Sequence, residues 1–453
     1  MSSTLDVIIR GGQVVTPTAV MPADIGVAGG RIAVVAPTVR ENAAVEIDAR
    51  GKHVFPGILD AHVHFNEPGR TEWEGLATGS AALAAGGGSW FADMPLNSVP
   101  PVIDAAAFAA KRRLAEEKSV VDFSLWGGLV PHNLDRLAEL RDAGAIGLKA
   151  FMCGSGVDEF PGVTDAATLR AGMKRAAALG MLVAVHAEDE AMAARLTAAQ
   201  RSHGATDVRS WLKTRPVEVE LSAIRMATDL AGETGCALHV VHVSSPEGID
   251  LITQAEARGV NVTAETCPHY LLLNEEDVVR IGATAKCFPL LRPEPARRAL
   301  WRLMESGCID TIGSDHSPAP PSMKTSADFF EIWGGISGCQ HAFPLLLGEA
   351  WRHGSPALVA LAAMLAGNVA RRFKLPHKGA IAEGFDADFA VVAFGEPHPL
   401  RNSELLYRHQ QGPYDGRMAY ATVVETVARG RRLARKAGIA PDAPRGQFVR
   451  PTT

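Results

Sequence analysis

The chain of 453 residues is long enough for two or three domains, or for one large barrel with an appendage. Hydrophobic residues make up 47% of it, and 45 basic against 50 acidic side chains leave a net charge of −5, so the composition is globular and offers no basic surface for a nucleic acid or an anionic membrane. The six cysteines form no C-x-x-C pair, no apolar run reaches about 18 residues and the first residues do not resemble a signal peptide, which together predict a reduced, cytoplasmic protein.

The first segment, residues 1–56, is predicted to form a small β-unit. Short runs of apolar and β-branched residues are separated by Gly, Pro and Asn, a spacing typical of antiparallel strands joined by tight turns. The predicted strands are residues 6–10, 12–15, 23–28, 31–35 and 44–48.

From residue 57 to residue 373, short apolar strands alternate with Ala-rich helical stretches. This alternation is typical of repeated strand–helix units and predicts an α/β fold, a TIM-like (β/α)8 barrel. A doubly wound sheet competes with it, but no G-x-G-x-x-G follows the first strand. The predicted strands are residues 57–64, 89–95, 122–130, 145–152, 181–187, 237–244, 260–266 and 309–314. The predicted helices include residues 104–117, 133–143, 166–179, 216–234 and 295–306.

The β-like texture returns in the last segment, residues 374–453. Residues 379–381, 388–393 and 421–427 resemble strands. The simplest arrangement has both chain ends building one small β-sandwich domain beside the barrel.

Two histidines, His62 and His64, end the first predicted barrel strand. Residues two apart on a strand face the same side, and the carboxyl ends of barrel strands surround the active site. Two imidazoles there are suited to binding one metal ion. By itself H-x-H is a weak motif, and a histidine pair packed in the core is an equal alternative.

Three further polar residues end other predicted barrel strands. His186 follows Leu-Val-Ala-Val, His242 follows Leu-His-Val-Val, and Asp315 follows Thr-Ile-Gly-Ser. Any one of them is compatible with a core or rim position. Together they converge on one rim of the barrel, and a cluster of His and Asp donors suits a divalent cation. We interpret the nearby His239 as structural, because it is three residues from His242 and is expected on the other strand face.

Lys149 lies near the end of the fourth predicted strand, within Ile-Gly-Leu-Lys-Ala-Phe. An ammonium in such an apolar run is costly unless it is paired or neutralised. Burial lowers a lysine pKa, and the neutral amine can react with carbon dioxide to form a carbamate whose two oxygens are able to bridge two metals. The alternative is a lysine that reaches out to the barrel mouth.

This combination resembles the amidohydrolase superfamily, and more narrowly the cyclic amidohydrolases: the allantoinase, dihydroorotase and hydantoinase/dihydropyrimidinase branches. The resemblance covers nearly the whole chain. It implies that His62, His64 and Asp315 ligate one metal, that Lys149 is N6-carboxylated and bridges two, and that His186 and His242 ligate the second. Zinc is the expected metal, with Co, Mn or Fe as alternatives.

Local motifs resemble the allantoinase branch most. Dihydroorotases carry Arg where this chain has Asn66, and a neutral amide cannot replace a guanidinium clamp. Hydantoinases carry Tyr shortly after the carboxylated lysine, whereas Lys149 is followed by Ala-Phe-Met-Cys-Gly-Ser. The stretches 314–318 (Ser-Asp-His-Ser-Pro) and 333–335 (Trp-Gly-Gly) are similar to allantoinases. One departure is Phe288-Pro-Leu, where the family tends to have Ser-Pro-Pro.

The resemblance implies hydrolysis of the cyclic amide of allantoin to allantoate by a hydroxide shared between two metals, with Asp315 relaying its proton to the leaving nitrogen. Asn97 and Ser317 are candidate substrate contacts, because amide and hydroxyl groups match the ureido and hydantoin groups of allantoin; hydrogen bonds to loop backbone are their alternative role. Hydantoinase and then dihydroorotase activity, or a structural dihydropyrimidinase-like protein, are the alternatives. By analogy with the family we expect a homotetramer.

Overall fold

The computed structural model describes residues 5–435 and 438–452, so residues 1–4, 436, 437 and 453 of the two predicted end segments lie outside it. Its strands are β1 (Leu5–Val15), β2 (Val20–Ala28), β3 (Arg31–Ala36), β4 (Ala43–Asp48), β5 (His53–Pro56), β6 (Ile58–Val63), β7 (Gly88–Asp93), β8 (Asp122–Leu125), β9 (Gly127–Gly128), β10 (Leu148–Phe151), β11 (Val183–His186), β12 (Leu238–Val240), β13 (Val262–Thr266), β14 (Thr311–Ile312), β15 (Phe389–Pro399), β16 (Met418–Ala428), β17 (Arg431–Arg435) and β18 (Gly438–Ile439).

Fourteen α-helices connect and cover these strands in the described part of the chain. They are α1 (Leu76–Ala85), α2 (Ala105–Lys118), α3 (Leu137–Ala143), α4 (Ala166–Ala178), α5 (Glu190–Ser202), α6 (Val208–Leu212), α7 (Val217–Thr234), α8 (Pro246–Ala257), α9 (Pro268–Leu272), α10 (Glu275–Ile281), α11 (Glu294–Glu305), α12 (Ala342–His353), α13 (Ser355–Ala362) and α14 (Asn368–Arg372). No helix among the described residues is both long and apolar enough to cross a membrane.

Strands β6 to β14 form the predicted TIM-like barrel from parallel pairs. Two sheets, β6-β7-β8 and β9-β10-β11-β12-β13-β14, run in chain order. They meet at Trp126 between β8 and β9, and the Ile146 N–H, just before β10, donates to the Leu125 carbonyl at the end of β8 at 3.1 Å. At the other junction, the His64 N–H donates to the His316 carbonyl at 2.8 Å. The hydrogen bonds therefore continue from the last strand of the ring back to the first.

All eight predicted barrel strands are present, and each paired stretch is shorter than its apolar run. The predicted 237–244 strand pairs only over Leu238–Val240, and 309–314 only over Thr311–Ile312. The remaining residues of those runs, including His242, leave the strands and begin the loops at the barrel mouth, as does Asp315, which follows the second run. The predicted helices lie within four residues of α2, α3, α4, α7 and α11.

Both chain ends build one nine-stranded sheet, in the order β18-β17-β16-β15-β5-β1-β2-β3 with β4 also paired to β1. The expectation of a purely antiparallel unit was wrong, because β1 pairs in parallel with both β4 and β5. The β2–β3 hairpin lies along one edge of β1, and the chain then crosses to the other edge. There β4 runs beside β1 in the same direction. Side chains from β1 to β5, β15 and β16 enclose a core that is separate from the barrel core.

Two other features of the chain ends differ from the predictions. Residues 379–381 are not a strand, and the unpredicted β5 joins β1 to β15 instead. The tail does not stay with the nine-stranded sheet: Phe448 pairs in parallel with Phe123 of β8, and the Val449 N–H donates to the Phe123 carbonyl at 2.7 Å. The outer edge of β8 is thereby covered, which removes an exposed strand edge from the barrel.

The alternation of side chains along β10 explains how the barrel presents polar groups inside. Leu148 and Ala150 pack in the apolar layer between the strands and helices. Lys149 and Phe151, which alternate with them, line the cavity at the barrel mouth. Because β10 and β11 are in parallel register with Phe151 opposite His186, the end of each strand reaches the same level of the barrel.

Candidate metal centre and substrate cavity

His62, His64 and Asp315 meet at the carboxyl end of the barrel. The Nε2 atoms of His62 and His64 lie 3.2 and 3.3 Å from the same oxygen of Asp315, Oδ1. All three side chains are nearly inaccessible to solvent. Two imidazole nitrogens and a carboxylate oxygen within one small volume form a donor set of the kind that binds divalent cations.

Lys149, His186 and His242 lie beside this group. The ring centroids of His62 and His242 are 5.4 Å apart, and those of His186 and His242 are 4.5 Å apart. Lys149 is fully buried, and its Nζ has no hydrogen-bond partner among the described residues. The structure therefore brings together all six side chains predicted as metal ligands, from five different strand ends.

The cluster favours neutral nitrogen donors. Burial lowers the pKa of His64 and His186, and lowers that of His242 well below its usual value with help from the nearby positive charges of His186 and Lys149. Burial also lowers the pKa of Lys149 to about 8. For Asp315, burial acts to raise the pKa, but the two histidines beside it outweigh burial and lower it. An ionised carboxylate among neutral imidazoles is the protonation state that metal binding requires.

Glu265 orients His62 from below. Its Oε1 lies 2.7 Å from His62 Nδ1, which leaves His62 Nε2 free to point at Asp315. Contacts with His62 and His239 outweigh the effect of burial and lower the Glu265 pKa to about 2. Glu265 is therefore a carboxylate and accepts a hydrogen bond from the Nδ1–H of His62. His239 lies 3.6 Å from Glu265 Oε2 and 2.8 Å from the hydroxyl of Thr263, which matches its predicted structural role. Such carboxylate–histidine pairs set the tautomer and ring angle of a metal ligand.

Glu188 does the same for His186. Its Oε2 lies 2.9 Å from His186 Nε2, so the Nδ1 atom is the one available to a metal. Glu188 Oε1 lies 3.3 Å from the Arg215 Nε, and Arg215 is held over the ring of Phe288 with 4.4 Å to its centroid. Cys153, which the sequence did not single out, completes a second group of potential ligands with His186 and Glu188.

Backbone strain concentrates around the same site. Asn66, Asn97, His242 and Asp315 all have positive φ angles, between 42° and 64°. Non-glycine residues rarely adopt this conformation, and when they do it is often where a functional geometry must be held. His242 lies two residues beyond the end of β12 and Asp315 three beyond the end of β14, so both left-handed residues stand in the loops at the barrel mouth.

A cavity of about 360 Å³ lies above the cluster. Asn97 and Ser317, the two predicted substrate contacts, both line it, and Asn97 Oδ1 has no hydrogen-bond partner among the described residues. Phe288, the departure from the family pattern, also lines the cavity and packs against Gly334, where a Cβ would lie 2.5 Å from its ring.

No role had been predicted from the sequence for Glu265, for Glu188 or for residues 330–335, which line the cavity. Two of these had a signal in the sequence. Glu188 follows His186 by two residues, and Glu265 lies near the end of a predicted barrel strand, as the metal ligands do. Of residues 330–335, only Trp333-Gly-Gly had been singled out, as similar to allantoinases, and no local pattern indicated that a long loop brings this stretch to the site.

The amidohydrolase family matches residues 53–433 of the chain. Allantoinase of Deinococcus radiodurans is 50% identical over 99% of both chains, and allantoinase of Rubrobacter xylanophilus is 49% identical over 99% of this chain and 98% of its own. Among solved structures, L-hydantoinase (dihydropyrimidinase) from Arthrobacter aurescens has a TM-score of 0.95 at 32% identity, covering 99% of this chain and 100% of its own. The chain belongs to the amidohydrolase family, and within it to the allantoinase branch.

Proposed function

We propose that this protein hydrolyses the cyclic amide bond of allantoin to give allantoate. The observation that carries the proposal is the convergence of His62, His64, Lys149, His186, His242 and Asp315 at the floor of a cavity lined by Asn97 and Ser317. The full-length similarity to curated allantoinases favours this substrate over other cyclic amides.

The donor set fits two divalent cations. His62 and His64 with Asp315 would hold one, and His186 with His242 the other. Lys149, buried among them with an Nζ that has no partner among the described residues, would help hold both metals as an N6-carboxylated side chain. When bound, such a pair supplies Lewis-acid activation of water and of the scissile carbonyl. We propose zinc, because the nitrogen-rich donor set suits it, with Co, Mn or Fe as alternatives.

Asp315 is the proposed proton carrier. Its Oδ1 lies 3.2 and 3.3 Å from the Nε2 atoms of His62 and His64, and its pKa is lowered, so it is ionised and able to take a proton from the attacking water. Its left-handed backbone directs the carboxylate into the cavity. From there it passes the proton to the ring nitrogen as the amide bond breaks.

Asn97 and Ser317 are the proposed substrate contacts. The unpartnered Asn97 Oδ1 is an acceptor for a ureido or ring N–H. The Asp93 carboxylate ion-pairs with the fully buried Lys111 at 2.8 Å, and Lys111 donates to the Met94 carbonyl at 2.8 Å. That pair stiffens the loop on which Asn97 stands.

The experiment is a comparison of turnover of allantoin, hydantoin, dihydrouracil and dihydroorotate by one preparation of known metal content. We expect allantoin to have the highest kcat/KM. A higher value for hydantoin or dihydrouracil would make hydantoinase activity the function, an alternative supported by the TM-score of 0.95 with L-hydantoinase. A preparation that binds no metal and turns over none of them would indicate a structural protein. A homotetramer and a cytoplasmic location remain predictions.

A further inference from the structure

The loop of residues 329–335 forms one wall of the substrate cavity, through Phe330, Glu331, Ile332, Trp333 and the two glycines that follow. We call it the cavity wall. It has no regular secondary structure. Three of its N–H groups donate to other loops, at distances of 2.8 to 3.1 Å. Its carbonyl groups have a different kind of partner.

Lys286 binds the first half of the cavity wall. Its ammonium donates to the carbonyls of Phe329 at 2.6 Å, Phe330 at 3.2 Å and Ile332 at 2.5 Å. The side chain is 1% exposed, and the rings of Trp211, Phe288 and Phe329 surround it, with centroids 5.2 to 5.6 Å from its Nζ. Aromatic faces and carbonyl dipoles offset part of the cost of burying this charge, and the remaining cost of burial, with the charge of Lys324, lowers the pKa of Lys286 to about 7.

Lys324 binds the second half. Its ammonium donates to the carbonyls of Trp333 at 2.8 Å and Gly335 at 2.9 Å, and to that of Ala283 at 3.2 Å on a neighbouring turn. Neither lysine forms an ion pair with a carboxylate of the described residues. Five of the seven carbonyls of the cavity wall therefore accept from two ammonium groups.

This arrangement has a consequence for substrate binding. An ammonium has three donors and no acceptor, so each lysine can gather three carbonyls at one point. The wall is set through its main chain, which leaves its side chains free to face the cavity. The indole N–H of Trp333 has no acceptor among the described residues and is available to a substrate carbonyl.

We propose that Lys286 and Lys324 are positioning residues that hold the cavity wall in the conformation that recognises the exocyclic arm of the substrate. The inference rests on the proposed function, in which that arm is the ureido group of allantoin. Unsubstituted hydantoin has the same ring without the arm. A loosened wall should therefore impair allantoin far more than hydantoin.

The test is K286M and K324M, which keep most of the apolar stem of each lysine and remove its donors. We expect KM for allantoin to rise about tenfold with kcat changed by less than about threefold, and the ratio of kcat/KM for allantoin over hydantoin to fall about tenfold. Metal content should stay at the wild-type value. The matched control is K378M, which removes another buried lysine remote from the cavity; that variant should keep the wild-type ratio.

Amide hydrogen exchange of residues 329–335 gives a second, independent readout. Relative to the rest of the chain, exchange of these residues should speed up in K286M and K324M, whereas in K378M it should not. An unchanged substrate ratio, or equal losses for both substrates with unchanged exchange, would overturn the inference. If K286M does not fold, K324M carries the test, since Lys324 is only partly buried. A wild-type protein inactive on allantoin refutes the proposed function, whereas the exchange experiment still decides whether the lysines hold the wall.

Discussion

Two buried lysines in this protein stand in opposite surroundings. Lys378 ties the barrel to the nine-stranded sheet, with Asp122, Asp388 and Asp386 at 2.7, 2.8 and 3.0 Å from its Nζ. Lys149 is equally buried, but its Nζ has no hydrogen-bond partner among the described residues. Although burial acts to lower both pKa values, the carboxylates around Lys378 outweigh it and raise that pKa, whereas the Lys149 pKa falls to about 8.

The comparison separates charges buried for stability from charges buried for chemistry. A paired and hydrogen-bonded ion cluster is complete without any ligand. An unpaired buried amine beside imidazoles is costly in the free protein and has a favourable role only when something else binds. Burial of a charged residue is therefore only weak evidence of a functional site. A buried ionisable group without a hydrogen-bond or ion-pair partner is stronger evidence.

The largest effect should come from exchanging a carboxylate for an amide in each cluster. D315N should lower kcat by about 10²–10⁴-fold, because the amide cannot accept the proton that Asp315 carries. D388N is the matched change in the paired cluster, and its kcat per folded molecule should equal that of the wild type. Steady-state kinetics with metal content measured on each preparation decides the matter; a D315N variant with wild-type kcat would contradict the proton-carrier role.

The next effect concerns stability. K378M should lower the free energy of unfolding by about 3–5 kcal/mol, since it removes the buried cation that Asp122, Asp386 and Asp388 share. K149M should leave stability without metal nearly unchanged or higher, because it removes an unpaired buried amine, while abolishing binding of two metals. Urea unfolding of the metal-free proteins checks the first expectation and metal analysis the second. Equal destabilisation by K378M and K149M would contradict the distinction between a lysine buried for stability and one buried for chemistry.

A smaller effect is expected where a carboxylate supports a ligand from outside. E265Q should weaken metal binding by about 10–100-fold, because the amide no longer fixes the tautomer of His62 through the 2.7 Å contact. Titration with a competing chelator measures this. The control is E349Q. Glu349 forms a surface ion pair with Arg352, and its amide variant should bind metal as the wild type does. An unchanged metal affinity in E265Q would show that Glu265 does not orient His62 for metal binding.

The last effect depends on pH. Burial lowers the pKa of His341 to about 4, so between about 6.5 and 4 the unfolded chain holds a proton there that the folded protein lacks. Stability from this group is present above pH 6.5 and is lost as the pH falls to 4. H341Q cannot titrate, so its unfolding free energy should fall by roughly 2–3 kcal/mol less than that of the wild type between pH 7 and pH 4. Parallel pH profiles would show that His341 is protonated in the folded protein.

Much of the architecture could be predicted from local pattern. The eight barrel strands and the main helices follow from hydrophobic runs of strand and helix length, which depend on near neighbours in the chain. The β-domain was predicted less well, because its pairing joins segments far apart: β5 pairs with β15, and the tail residue Phe448 pairs with Phe123. No local pattern specifies such partners, and residues 379–381 show that an apolar run need not find one.

The sequence by itself determined the six candidate ligands, because each is a polar residue at the end of an apolar run, where a parallel barrel places its functional groups. Only the tertiary structure decided how they are used. The two histidines share one oxygen of Asp315, Glu265 and Glu188 orient His62 and His186, and two lysines hold a wall that comes from a distant loop. The reason is physical: a residue's chemistry and periodicity are local, whereas hydrogen-bond partners and burial depend on the whole chain.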